Sequence, residues 1–157
     1  MMQFQDEVVI ETDAETTWEL VSDPEVLVES VPGAKEVTRV SDDEYKGTIE
    51  RGIAGITVAL EGEVAMTELN PPSHLTAEAS GEDSNTGSRL DADAEMDMTD
   101  EGDSTTLAYE IDMEFTGRLA TVGSRLLKRM IRKDINTFFE NIKNRAEEAE
   151  AQATVED

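Results

Sequence analysis

The sequence has no cysteine, one histidine, four prolines and only 13 Lys and Arg against 37 Asp and Glu. Without cysteine there is no disulfide framework, no thiolate nucleophile and no cysteine metal site. The scarcity of basic residues, with few aromatics and none interleaved among them, excludes the footprint that phosphate backbones require, so no nucleic-acid partner is expected. No run approaches the roughly 20 apolar residues of a membrane-spanning helix. The opening "MMQFQDEVVIETDAE" lacks the basic and apolar regions of a signal peptide, and a cytoplasmic protein is expected. Nucleophile elbows, phosphate-binding glycine loops and zinc motifs are missing too. His74, after "NPPS" at a strand start, reads as a solvated turn residue rather than a base. The carboxylates of "DADAEMDMTDEGD" alternate along a strand, and the sixth position from Asp91 is Met96 rather than glycine, so no metal site is expected.

What is present is acid, at a formal charge of -24 over 157 residues. Such a charge destabilises a compact chain by self-repulsion in dilute buffer, whereas salt near 1 M screens it to about 3 Å. The acidic excess is spread along the chain, which suits a solvated surface in a high-salt, halophile-like cytoplasm; an acidic face for a basic partner is the rival reading. The length fits one globular domain burying roughly 70% of its unfolded surface.

Periodicity supplies the elements. "QFQDEVVIET" alternates as a strand, and Thr12 to Glu15 forms a capping-box pattern that opens a short helix through Trp18. Asp23-Pro24 starts a second helix, which "VPGA" stops. From Lys35 to Phe115 the period is two. "KEVTRV" and "EYKGTIERGI" are joined across residues 41–43, "GITVALEGEVAMTEL" follows a Gly52 to Gly55 turn, and "HLTAEAS" follows the "NPPS" break. In "RLDADAEMDM" the residues Leu90, Ala92, Ala94, Met96 and Met98 share one face. In "LAYEIDMEF" Leu107, Tyr109, Ile111, Met113 and Phe115 do the same, after the turn "DEGDS". An antiparallel meander with one wet face follows. A long helix is predicted from Arg118 to about Glu148, with Leu119, Gly123, Leu126, Leu127, Met130, Ile131, Phe138 and Ile142 on its apolar face. An acidic, frayed tail occupies 147–157 beyond a single domain of residues 1–146.

One apolar sheet face and one apolar helix face bury each other if a strongly bent sheet wraps the helix. The expected class is therefore α+β, a helix-grip arrangement: about seven curved antiparallel strands around a long C-terminal helix, with two short helices after the first strand.

Two stretches carry a family resemblance. "TTWELVSDPEVLVESVPGAKEV", with Trp18, Asp23, Pro24, Pro32 and Gly33, resembles the START/Bet v 1-like (SRPBCC) superfamily. "FTGRLATVGSRLL" and "FFENI", with Gly117, Ala120, Gly123, Arg125, Leu126, Phe138 and Phe139, are similar to the G subunit of carbon monoxide dehydrogenase, a group within it. The similarity covers about Met1 to Ala146. It implies a hydrophobic cavity between sheet and long helix for a lipid-like ligand. It also implies association with a molybdenum hydroxylase such as carbon monoxide dehydrogenase, its membrane recruitment, and quinone handling. The acidic exterior and acidic tail depart from a typical member and set membrane attachment against the charge of this chain.

The residues expected to line that cavity are Trp18, Val26, Leu27, Ile49, Val58, Leu60, Leu90, Met96, Met113, Phe115, Leu119, Gly123, Leu126, Leu127 and Met130. Small inward residues leave volume and adaptable methionines shape it; an ordinary packed core, with glycines marking bends, is the competing reading. Trp18 also reads as a core anchor beneath the long helix. Tyr45, Glu50, Arg51 and Tyr109 are the polar residues of the strands that could enter the interior.

Positive charge is gathered in one place. Arg125, Lys128, Arg129, Arg132 and Lys133 fall within nine positions, and Arg118 to Arg145 carries +6 against -30 for the rest of the chain. This face could neutralise acidic parts of the same domain, dock an acidic partner, or contact anionic lipid at the inner face of the membrane. The expected function is non-enzymatic binding of an apolar molecule, with no cofactor, as an accessory subunit of a carbon monoxide dehydrogenase-type hydroxylase. A polyketide cyclase/dehydrase-type enzyme of the same fold and a quinone-binding chaperone of the respiratory chain are the alternatives.

Overall fold

The structure, a computed structural model, describes residues 2–53 and 55–156, with side chains for all of these except 24 and 150–156. Residues 1 and 157, the outer limits of the expected domain and tail, lie outside the described residues, as does residue 54 in the expected Gly52 to Gly55 turn.

The chain runs β1 (Met2–Ile10), α1 (Ala14–Val21), α2 (Pro24–Ser30), β2 (Ala34–Arg39), β3 (Glu44–Ile53), β4 (Ile56–Asn70), β5 (His74–Asp83), β6 (Ser88–Asp100), β7 (Thr105–Thr116), a 3-10 helix (Gly117–Val122) and α3 (Ser124–Glu156). One sheet holds all seven strands in the order β1-β7-β6-β5-β4-β3-β2, every pair antiparallel. This is the helix-grip architecture.

Alternation decides the faces. On β6 and β7 the buried Met96, Met98, Leu107, Tyr109 and Ile111 alternate with exposed or half-buried residues, all polar but Ala108. Gly47, Gly62 and Gly81 stand in register across β3, β4 and β5. At Gly62 an added Cβ would lie 2.0 Å from the Ser80 carbonyl oxygen, so the neighbouring backbone occupies the space of a side chain.

Asp13 caps α1 by accepting from the Thr16 backbone N–H at 2.8 Å. The cap thus falls one residue after the expected Thr12, which is wholly buried and whose carbonyl accepts from the Thr105 hydroxyl. Asp23 caps α2 as the sequence predicts, accepting from Glu25 N–H at 3.0 Å. The larger correction concerns the last helix. Arg118 to Val122 form a 3-10 turn, and Gly123, at φ 104°, breaks the chain direction before α3. That left-handed backbone suits only glycine. Leu119 and Gly123 therefore do not belong to the α3 apolar face. Leu119 is buried beneath the 3-10 turn, its N–H bonded to Ser88 Oγ at 3.0 Å. At its other end α3 continues to Glu156, past the expected end near Glu148.

Two packed cores result. The larger joins Phe4, Ile10, Leu75, Met96, Met98, Leu107 and Tyr109 to Ile135, Phe139, Ile142 and Ala146 of α3. The smaller joins Val58, Leu119 and Leu127. The most buried stripe of α3 thus includes Ile135, Phe139 and Ala146, rotated from the face read off the sequence.

Candidate ligand-binding site

Between the two cores the inner face of the sheet is apolar but not sealed. Ile49, Val64, Ala79, Leu90 and Ala92 face the same side as buried Tyr45, Met66, Ala77 and Met96, yet each stays half-buried and belongs to neither core. Leu126 and Met130, on the flank of α3 away from Phe139, share this condition. The α3 backbone approaches α1, α2, β1 and the 3-10 turn most closely. Half-buried apolar side chains on facing elements are the kind of surface from which an apolar ligand site is built.

The expected lining residues divide accordingly. Leu27 and Met96 are buried in the larger core, and Trp18, Val26 and Met113 pack half-buried against it. Val58, Leu119 and Leu127 form the smaller core, with Leu60 and Phe115 packed against it. Ile49, Leu90, Leu126 and Met130 are half-buried and belong to neither core. Gly123 is exposed, with open space around any added Cβ.

A polar pair joins the sheet to α3. Arg51 follows Ile49 on the inner face of β3, and its Nη2 donates to Asp134 Oδ1 of α3 at 2.7 Å. Asp134 lies one helical turn beyond Met130. Burial pushes the Asp134 carboxyl above the usual carboxylate range, although the charge and hydrogen bond of Arg51 pull it down. Taking the carboxylate out of water outweighs the ion pair. The Arg51 Nε is buried, and no acceptor among the described residues reaches it. An unsatisfied buried donor costs about 1–3 kcal/mol. Gly33 sets the side chain in place: an added Cβ there would meet the Glu50 carbonyl oxygen at 2.4 Å and Arg51 Cδ at 3.1 Å.

The other polar candidates separate. Tyr45 and Tyr109 are buried on the inner side, Tyr109 against Phe139. Glu50 is exposed on the outer side, paired with Lys35. His74 is the first residue of β5 rather than a free turn residue, and its Nδ1 lies 2.7 Å from Asp97 Oδ1. Ligand atoms of His74, Glu95 and Asp97 fall within 4.8 Å of one another, a grouping that only the β5–β6 register reveals. Both carboxylates are exposed. Two polar hollows open on the outer face. One, of about 530 Å³, follows the glycine row and is lined by Lys46, Glu61, Glu63, Glu82 and Arg89; the other, of about 360 Å³, lies between β1, β6 and β7.

The five cations of the α3 cluster are all exposed. Lys35, Arg39, Lys46, Arg51, Arg89, Lys143 and Arg145 all have carboxylate partners. Among the described residues Arg125, Lys128, Arg129, Arg132 and Lys133 form no ion pair, and Arg132 instead stands 5.5 Å over the Phe4 ring. Neutralisation within the domain, one of the three roles considered for this face, is therefore not supplied by close ion pairs among the described residues.

The bent seven-stranded sheet closed by a long C-terminal helix defines a START/Bet v 1-like protein. The match goes further: the model of the CoxG family, the G subunit of carbon monoxide dehydrogenase, covers residues 7–147, and the chain belongs to that family. No curated protein matches the chain. A conserved protein from Geobacillus kaustophilus shares 24% identity with a TM-score of 0.85, the match covering 94% of this chain and 97% of that one. A START superfamily protein from Mycobacterium smegmatis matches with a TM-score of 0.68 at 15% identity, over 94% of this chain and 98% of that one. The Zhui aromatase/cyclase from Streptomyces sp. R1128 has a TM-score of 0.65 at 12% identity, over 93% of each chain. These likenesses concern the fold. No helix among the described residues is long and apolar enough to cross a membrane.

Proposed function

We propose that this protein holds an apolar, lipid- or quinone-like molecule between strands β3–β6 and α3. It does so as a non-catalytic accessory subunit of a carbon monoxide dehydrogenase-type molybdenum hydroxylase. The observation that carries the reading is the set of inward apolar residues, Ile49, Val64, Leu90, Ala92, Leu126 and Met130, that remain half-buried between two closed cores. Membership of the CoxG family is what supports the hydroxylase as the partner. A cyclase-type enzyme would need acid–base groups free to converge on the ligand; the inward pair Arg51–Asp134 is engaged with itself, and His74 stands on the outer face, engaged by Asp97.

Native mass spectrometry of the protein purified from its own host, with thermal melts against quinones and fatty acids, tests this reading. A retained apolar molecule is expected, and a bound ligand at 100 times its Kd adds roughly 2.7 kcal/mol of stability. A protein that carries nothing and melts unchanged across the panel defeats it.

The unpaired cations of α3 serve as the contact with the hydroxylase or with an anionic membrane surface. Changing Lys128, Arg129, Arg132 and Lys133 to Ser is expected to abolish that contact in co-sedimentation with the hydroxylase or with anionic vesicles. Equal binding by both proteins removes this face from the function.

A further inference from the structure

We infer that His74, Glu95 and Asp97 form a site for one divalent transition-metal ion of the zinc class on the outer face of the sheet. The inference is independent of the apolar ligand and of the hydroxylase. The antiparallel register builds the site: His74 at the start of β5 stands opposite Asp97 of β6, and Glu95, two residues earlier on the same face of β6, stands diagonal to it. Ligand atoms of the three residues lie within 4.8 Å of one another. His74 Nδ1 is 2.7 Å from Asp97 Oδ1 and 3.9 Å from Glu95 Oε1. Two atoms bound to one zinc ion at about 2.1 Å each stand roughly 3–4 Å apart. The Glu95 distance already meets that condition, and Asp97 meets it after a shift of about 1 Å. Both carboxylates are exposed, so side-chain rotation supplies the shift without moving the strands.

The protein leaves the cluster short of positive charge. Asp97 takes the Nδ1 position of the ring, and Glu95 stands beyond hydrogen-bond reach. Among the described residues no Lys or Arg pairs with Glu68, Glu95 or Asp97. Glu95 and Asp97 also line the outer hollow of about 360 Å³ together with Asp6, Glu7 and Glu110, and no Lys or Arg lines it. A cation against His74 therefore meets carboxylates on one side and open water on the other, which completes its shell. Behind the ring, Nε2 faces Glu68 Oε2 at 3.9 Å, a gap that one water bridges, and Asn70 Nδ2 holds Glu68 at 3.0 Å. A carboxylate behind one ring nitrogen fixes the tautomer that leaves the other free for a metal. Glu68 is thus a positioning residue. The imidazole, the only one in the chain, distinguishes this cluster from the other carboxylates of the surface. Nitrogen beside carboxylate oxygen suits zinc, whereas magnesium and calcium take oxygen ligands.

The test titrates the full-length, metal-free protein with zinc chloride or magnesium chloride in about 1 M KCl, which screens loose attraction to the acidic surface. Binding is followed by calorimetry and by the NMR signals of the histidine ring, which belong to one residue. One zinc ion per chain is expected, bound more tightly than magnesium and shifting the ring signals. His74→Gln and Glu95→Gln are each expected to weaken zinc by about tenfold or more. Glu114→Gln, at an exposed carboxylate near the far end of β7, is expected to leave zinc binding unchanged. Zinc should also raise the melting temperature of wild type and not that of His74→Gln. If zinc binds His74→Gln as tightly as wild type, or magnesium binds as tightly as zinc, the ion is held only by the general charge of the surface and the inference falls. Unmoved ring signals in the presence of bound zinc, or no zinc binding at all, overturn it as well.

Discussion

The ring of Tyr109 on β7 lies against that of Phe139 on α3, centroids 4.6 Å apart and planes 19° from parallel. Phe138 meets Phe139 edge-on at 5.0 Å. This contact joins α3 to the inner face of the sheet, while Leu126 and Met130 lie half-buried on the flank of α3 away from it.

Phe139, 2% exposed, carries the contact. Phe139→Ala is expected to cost about 3–5 kcal/mol, read as a lower urea midpoint. Phe138→Ala, at a half-buried position, should cost distinctly less. Equal losses at the two sites would mean that the stack is not what holds α3.

Gly62 is tested by adding one methyl group. Gly62→Ala drives a Cβ onto the Ser80 carbonyl and is expected to destabilise by about 1–3 kcal/mol or more. Gly52→Ala, where nothing lies within 4 Å, serves as the control. A Gly62→Ala protein with the wild-type melting temperature would show that the sheet does not need this close backbone approach.

His74 gives a pH dependence. Its hydrogen bond to Asp97 raises its pKa above 6.5 despite burial, helped by the charges of Asp97, Glu68 and Glu95. The folded state therefore binds the proton more tightly than the unfolded chain. The resulting stability is complete below 6.5 and fades as the pH rises through the higher folded value. His74→Gln should remove this slope in urea midpoints measured from about pH 5 to about pH 9. An unchanged slope would assign it to other groups.

The -24 formal charge predicts salt dependence. Lowering the salt from about 1 M to about 0.01 M lengthens screening from about 3 Å to about 30 Å. The expected outcome is a fall in melting temperature on desalting, with loss of near-ultraviolet circular dichroism. A melting temperature independent of salt would contradict the high-salt reading of the surface.

The alternation of β6 and β7, the Asp23 cap and the order of elements were legible because they depend on neighbours within a few residues. The break at Gly123 was not, since a glycine on a helical face and a glycine at a positive-φ bend read alike until the 3-10 turn docks on Ser88. The rotation of the buried stripe toward Phe139 was equally hidden. Helix periodicity marks an apolar side, while the partner's shape decides which part of it is pressed flat.

Composition and local pattern alone determined an acidic surface, a bent antiparallel sheet, a long final helix and one basic segment. Each is a property of residue types at fixed spacing. Only the tertiary structure decided that Arg51 meets Asp134, 83 positions away. The same holds for His74 meeting Asp97, and for the basic cluster forming no ion pair among the described residues. Charge pairing and solvent exposure depend on distances across the fold, and those distances exist only once the helix has been set into the sheet.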